Sequence, residues 1–268
     1  MPDVVGVHGV GWHSKSRREM AERWRAALVE GLENERFPGA SSLVFEPAFY
    51  GHLYNTGGKG TPVAEIEHGF EVELLTELAE QAAPVRETTK VYAPRQVQRL
   101  FRRLQSTDFF TGAADRALVR FLKQVHRYFA DPELRGGVQR ELRMAIGDGA
   151  PVVVAHSLGS VAAYELLRGE QDLRVETLVT VGSPLGLRVI RERLSLDGDA
   201  NRNWPGKVRR WINIAAVEDA IATVKELDGV YGNGIEDRTV FNTRMRAHHC
   251  ERYLKNVETS RAVAAALS

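Results

Sequence analysis

The segment Pro151-Val152-Val153-Val154-Ala155-His156-Ser157-Leu158-Gly159-Ser160 constrains this 268-residue chain more than any other. Three consecutive valines make an apolar, β-branched run suited to a strand buried on both faces. The residues that follow, Val161-Ala162-Ala163-Tyr164-Glu165-Leu166-Leu167, read as a helix running from Ser157 to Arg168 and closed by Gly169. Between strand and helix there is room only for a sharp turn. Such a turn lifts one side chain above the sheet in strained backbone geometry, and the residues two before and two after it must be small to clear the strand and the helix. Ala155 and Gly159 stand at those two places, with Ser157 at the apex. Glycine is the more usual occupant of the first place, and alanine is the next smallest residue.

The rest of the chain supplies a frame for this unit. Val4–Val7, Ser42–Phe45 (ended by Pro47), Val175–Val181, Val208–Ala215 and Arg238–Phe241 read as strands. Helical spacing is expected over Ser16–Leu32, where Met20, Trp24, Ala27, Leu28 and Leu32 share one face, and over about 63–82, 86–143 and 250–267. Strands alternating with helices predict an α/β fold with a mostly parallel central sheet flanked by helices. We expect a single domain, its core formed by about 1–50 and 150–268, with 50–150 as a helical insertion. The formal net charge of +1 conceals an asymmetry within that insertion. Residues 63–82 hold six Glu and no Lys or Arg, while 86–143 hold 13 Lys or Arg against 6 Asp or Glu. Two solvated helix faces that partly neutralise each other are the favoured reading, ahead of a partner surface.

Composition narrows the function classes. Lys and Arg number 36 against 35 Asp and Glu, so the basic footprint of a nucleic-acid binder is absent. The aromatics of the insertion (Tyr92, Phe101, Phe109, Phe110, Phe121, Tyr128 and Phe129) fall at the spacing of a helical core rather than of a base-stacking platform. No apolar run approaches the ~20 residues of a membrane span. One cysteine allows no internal disulfide, and no leader pattern precedes the first strand. A cytoplasmic protein is expected, with its oligomeric state open.

Ser157 alone is a poor nucleophile. It needs a base, and the base needs an orienting carboxylate. After a turn of this kind the order along the chain is serine, acid, histidine. The strand at 208–215 leads to two acids, Glu218 and Asp219. Asp219 is favoured, though it also suits a helix N-cap. Two adjacent histidines precede the last helix, and His248, in the loop position, is favoured over His249. His8, His13, His52, His68, His126 and His156 fall before the serine, inside the turn itself or in the first loop. Acyl chemistry also needs two N–H groups aimed at the developing oxyanion. Leu158, next to the serine, offers one; the glycine-rich loop His8-Gly9-Val10-Gly11 after the first strand offers the other, from Val10 or Gly9. Gly57-Gly58-Lys59-Gly60-Thr61 lacks the P-loop spacing, and His248-His249-Cys250 lacks a zinc spacing, so no metal or organic cofactor is expected.

In these residues, together with Gly182-Ser183-Pro184, the chain resembles the α/β-hydrolase superfamily, and within it the serine esterases and lipases. The resemblance covers roughly 1–50 and 150–268. It implies a serine hydrolase acting on a small-molecule acyl substrate through Ser157, Asp219 and His248, with Leu158, Val10 and Gly9 at the oxyanion hole. It also implies a sheet that begins at the strand bearing the oxyanion loop. Amide or thioester cleavage by the same residues, or a scaffold kept as a binding or regulatory module, are the alternatives.

Overall fold

The computed structural model describes residues 1–55, 66, 69–82, 114–243 and 247–268. Six strands form a sheet: β1 (Val4–Val7), β2 (Phe45–Ala48), β3 (Ala150–His156), β4 (Val175–Val181), β5 (Arg210–Ala216) and β6 (Glu236–Val240). Their spatial order is β2-β1-β3-β4-β5-β6, and all five pairings are parallel. The helices are α1 (Arg17–Asn34), α2 (Phe70–Ala82), α3 (Ala114–Ala130), α4 (Pro132–Ile146), α5 (Leu158–Gly169), α6 (Arg188–Arg193), α7 (Cys250–Leu254) and α8 (Val257–Leu267).

The strand period of two sorts the apolar side chains between two layers. Val4, Val152, Val154, Val179, Ile212 and Ile214 point to one face and pack with Met20, Trp24 and Leu28 of α1 and with Leu254, Ala262 and Val263 of α7 and α8. Val5, Val7, Val153, Ala155, Leu178 and Trp211 point to the other, where helices α2 to α5 cover them. Both faces being covered, β1 and β3 read as apolar runs rather than as alternating ones, while the edge strand β6 is mostly polar. The molecule is thus of the α/β class, with a parallel sheet between two helical layers.

Parallel pairing brings the C-terminal ends of all six strands to one edge. The chain leaves β1 through α1 on one face and leaves β3 through α5 on the other, so the topology switches direction between β1 and β3. Crevices at such switch points are where open α/β sheets place ligands. The loop 8–11 and Ser157 both emerge there.

Several boundaries differ from expectation for identifiable reasons. The second strand is Phe45–Ala48 and contains Pro47 instead of stopping before it. β2 pairs only with β1, and a sheet edge tolerates the missing N–H. The last helix is two helices, because Asn256 accepts from the Glu258 N–H and starts a new one. Asp131 and Pro132 likewise separate α3 from α4: the Asp131 carboxylate caps the Glu133 and Leu134 N–H groups, and Pro132 sits where no N–H is needed. The expectation for 86–113 lies outside the described residues. Of the segment read as insertion, α4 packs on β1, β2 and α5 and is part of the layer covering the sheet.

The acidic helix α2 is not a simple solvated face. Glu71 is 1% exposed, between Lys123 Nζ at 3.1 Å and His126 Nδ1 at 2.8 Å, both on α3. Glu77, also buried, accepts from the Arg188 and Val189 N–H groups at the start of α6, at 2.5 and 2.9 Å. Glu73 and Glu80 are exposed.

Gly159 seats α5 against β1. A Cβ there would lie 2.4 Å from the His8 carbonyl oxygen and 2.5 Å from that of Val7. Both contacts are backbone, which cannot rotate away. Gly159→Ala is therefore expected to destabilise the fold by about 1–3 kcal/mol in urea denaturation; a change below about 0.5 kcal/mol would show that the seat is loose.

Candidate active site

Ser157 stands between β3 and α5 with φ 55° and ψ −129°. A non-glycine residue in this region stores about 1–3 kcal/mol of strain, and the surroundings must over-determine it. They do so from two sides. The Ser157 N–H donates to the Val181 carbonyl at 3.2 Å. The Ser157 carbonyl accepts from the Ser160 N–H at 2.9 Å and from the Ser160 hydroxyl at 2.5 Å. Ser160 is itself fully buried and within 2.6 Å of the Ser183 hydroxyl, which accepts from the Leu185 N–H at 3.2 Å. The hydrogens can run in one direction, from Leu185 through Ser183 and Ser160 to the carbonyl of Ser157.

The loops after β5 and β6 bring Asp219 and His248 to this serine. His248 Nε2 lies 3.0 Å from Ser157 Oγ. His248 Nδ1 lies 2.9 and 2.8 Å from the two oxygens of Asp219. A hydroxyl, an imidazole and a carboxylate in series is the arrangement that general-base activation of a serine requires. The two alternatives point elsewhere. Glu218 is half-buried and accepts from the Asn242 N–H at 3.3 Å. His249 is exposed and lies 3.7 Å from Glu251.

Asp219 is 1% exposed. Burial pushes its carboxyl up, but His248, the Tyr253 hydroxyl and the Ile221 N–H outweigh that and hold it well below the usual carboxylate range. Tyr253 Oη donates to Asp219 Oδ2 at 2.6 Å and accepts from the Ala216 N–H at 2.9 Å. The Ile221 and Ala222 N–H groups reach Oδ1 at 2.9 and 3.3 Å. Lys225 Nζ holds the loop itself, donating to the carbonyls of Ala216 at 2.6 Å, Asp219 at 3.2 Å and Ala222 at 2.5 Å. Burial pushes this ammonium down from its ordinary value.

The first loop touches the same serine. A Cβ on Gly9 would lie 2.5 Å from Ser157 Cβ and 2.9 Å from the His156 carbonyl oxygen, so only glycine lets the loop approach this closely. Leu158 opens α5, and its N–H has no intrahelical acceptor. Among the described residues, the N–H groups of Gly9, Val10 and Leu158 have no hydrogen-bond acceptor.

Two buried histidines frame the site without joining the chain of hydrogen bonds to Ser157. His8 stacks on Tyr50 at 3.9 Å, accepts from the Tyr50 N–H through Nε2 at 3.1 Å and donates from Nδ1 to the Gly9 carbonyl at 2.8 Å. His156 donates from Nε2 to the His248 carbonyl at 2.9 Å, fixing the loop that carries His248. Burial drives both rings down to about 3, and both are neutral.

Sequence reasoning missed Tyr253, Lys225, Ser160 and Ser183 as supports. His156 was weighed only as a base. Tyr253 and Ser183 act through contacts with residues far along the chain, whereas Ser160 and Lys225 act on carbonyls three to nine residues away that converge only once the turn and the loop are folded. Of the other histidine positions considered, none of the described ones joins the Ser157–His248–Asp219 chain: His8 bonds Gly9 and Tyr50, His13 lies near Gln124, His52 near Glu141 and His126 against Glu71. His68 lies outside the described residues.

The neutral burial of His8 and His156 sets a pH dependence. In the unfolded chain each binds a proton near its ordinary value of 6.5, whereas the folded state resists until about pH 3. Stability therefore rises with pH across this window and falls on acidification. Between pH 8 and pH 5 each ring is expected to contribute a loss of about 2 kcal/mol. The depressed carboxylates Asp219, Glu236 and Glu251 act in a lower window, below their ordinary value near 4. Urea midpoints measured from pH 8 to pH 5 check this: a flat profile contradicts it, and His156→Gln is expected to make the slope shallower. Comparison of the chain with protein-family models, curated proteins and solved structures finds no match in any of the three.

Proposed function

We propose that this chain is a serine hydrolase of the α/β-hydrolase type, cleaving a carboxylic ester or related acyl bond of a small molecule. The observation that carries the reading is the continuous chain Ser157 Oγ, His248 Nε2, His248 Nδ1, Asp219, with Ser157 at a strained strand-to-helix turn. His248 takes the proton of Ser157 as Oγ attacks the acyl carbon. The Leu158 N–H, together with that of Val10 or Gly9, stabilises the oxyanion. The imidazolium then protonates the leaving group, whose bond to the acyl carbon breaks. A water deprotonated by His248 attacks the acyl-enzyme and releases the acid, returning the serine. Asp219 keeps the Nδ1 proton in place and offsets the positive charge on the ring.

A fluorophosphonate probe tests the reading. Ser157 is expected to label, and a folded wild-type chain that never labels sinks it. A panel of p-nitrophenyl esters, acyl thioesters and anilides identifies the leaving group. Activity on anilides or thioesters alone moves the reading to an amidase or a thioesterase, and no activity together with no labelling leaves a binding scaffold. Ser157→Ala and His248→Ala are expected to lose on the order of a thousandfold or more in kcat. His249→Ala is expected to stay within about threefold, because its ring faces away; equal losses at both histidines contradict the assignment. Tyr253→Phe removes one of the donors to Asp219 and strips the Ala216 N–H of its acceptor. It is expected to lower kcat about tenfold with KM little changed, at a stability cost of about 1–3 kcal/mol. Full activity with unchanged stability would remove Tyr253 from the account.

A further inference from the structure

The loop 8–11 is a short segment with two glycines, and the hydrolase reading requires one of its N–H groups to face the oxyanion. Such a segment has freedom to turn its peptides over unless something holds them. Gly11 has φ +96°, a conformation open chiefly to glycine, so the backbone here is not set by side-chain sterics. The two peptides flanking Val10 are each tied by one hydrogen bond. On the first, the Gly9 carbonyl accepts from His8 Nδ1 at 2.8 Å. A trans peptide carries its C=O and N–H on opposite sides, so this bond also sets the direction of the Val10 N–H. On the second, the Gly11 N–H donates to Gln124 Oε1 at 3.2 Å.

The second tie comes from a different part of the molecule. Gln124 lies on α3, within the segment read as insertion, 113 residues from Gly11. Its Nε2 faces His13 Nδ1 at 3.4 Å, and its backbone carbonyl accepts from Tyr54 Oη at 3.3 Å. The neighbouring Lys123 and His126 hold the buried Glu71 of α2. The side chain that reaches the loop is thus carried by a helix docked on both sides, not by a free arm.

Resting on the hydrolase reading, we infer that Gln124 is a positioning residue that sets the oxyanion loop, so that α3 controls the competence of a site whose nucleophile, acid and base all lie elsewhere. Gln124 touches no reacting atom. It acts by holding the Gly11 amide, and with it the Val10–Gly11 peptide, in one orientation. Loss of a directly engaged oxyanion donor costs about 10²–10³ in kcat, and loosening its support is expected to cost less.

The test compares wild type, Gln124→Met and Gln124→Glu. Methionine keeps the length and removes the acceptor, whereas glutamate keeps an oxygen for the Gly11 N–H. The readouts are the second-order rate of fluorophosphonate labelling at Ser157, kcat and KM on p-nitrophenyl butyrate, and the thermal midpoint. The expected result is labelling and kcat about tenfold lower in Gln124→Met, KM within about twofold, and recovery toward wild type in Gln124→Glu. A merely structural role would shift the midpoint and leave the labelling of the folded protein unchanged. Wild type that labels, with Gln124→Met labelling within about twofold of it, overturns the inference and spares the hydrolase reading. Wild type that does not label overturns the reading and this inference with it. Should Gln124→Met not fold, amide exchange over residues 8–12 of the wild-type chain decides. A Gly11 amide exchanging as fast as an unstructured one overturns the inference, and protection that is retained in Gln124→Glu supports it.

Discussion

A carboxylate taken out of water organises one end of the hydrogen-bonded chain that runs through His248 to Ser157. Asp219 is held in the interior, where an isolated charge costs many kcal/mol unless donors replace its hydration. Its replacements come from three directions: the imidazole of His248, the phenol of Tyr253 and the amides of its own loop. Lys225, by satisfying three carbonyls at once, keeps that loop folded tightly enough for its amides to point inward. Each donor is then fixed in turn by having the charge to point at. The position of the imidazole beside Ser157 follows from this arrangement, because His248 is held at Nδ1 by the carboxylate and at its backbone carbonyl by His156.

The other end is organised by strain. Ser157 occupies a conformation that a serine avoids, and the hydroxyl and N–H of Ser160 hold its carbonyl, with Ser183 behind that hydroxyl, while Val181 holds its amide. Gly9 and Gly159 let β1, its loop and α5 close around the turn with no side chain between. This turn lies at the point where the chain changes direction across the sheet. The hydroxyl, the ring and the carboxylate therefore meet at the topological switch point, and the packing on either side of it can remain dense.

What was legible in the sequence had a local physical cause. Three valines, a turn flanked by small residues and a helix mark the unit around Ser157 because sterics act between near neighbours. β4, with both faces covered, is apolar enough to be read to the residue. Asp219 and His248 were picked out by their places after strands, and the structure brings both to Ser157; preferring Asp219 to Glu218 rested on the Asp219-Ala220-Ile221 pattern, and His248 to His249 on loop position. Pro47 misled because proline signals a strand's end everywhere except at a sheet edge, and the edge is a property of the whole sheet. Asn256 and Asp131 divided runs whose periodicity continues through them. Tyr253 and Gln124 left no trace, because what each does is defined by a partner brought near only by the fold; Lys225 left none because its three carbonyls, though close in sequence, converge only in the folded loop. The acidic run of α2 misled for the same reason. Glu71 and Glu77 look like surface charge until α3 and the start of α6 are placed against them.

The packing of α1 on α7 and α8 has a bearing on how the chain acquires its shape. Arg23 and Glu251, 228 positions apart, meet in an ion pair across this contact, and the sheet itself is built wholly from parallel pairings that need long crossovers. Folds dominated by such distant contacts form slowly. Residues 248–253, which carry the ring of His248 and the phenol of Tyr253, belong to this long-range packing. The hydroxyl of Ser157 and the carboxylate of Asp219 therefore meet across that ring only where α7 is docked against α1.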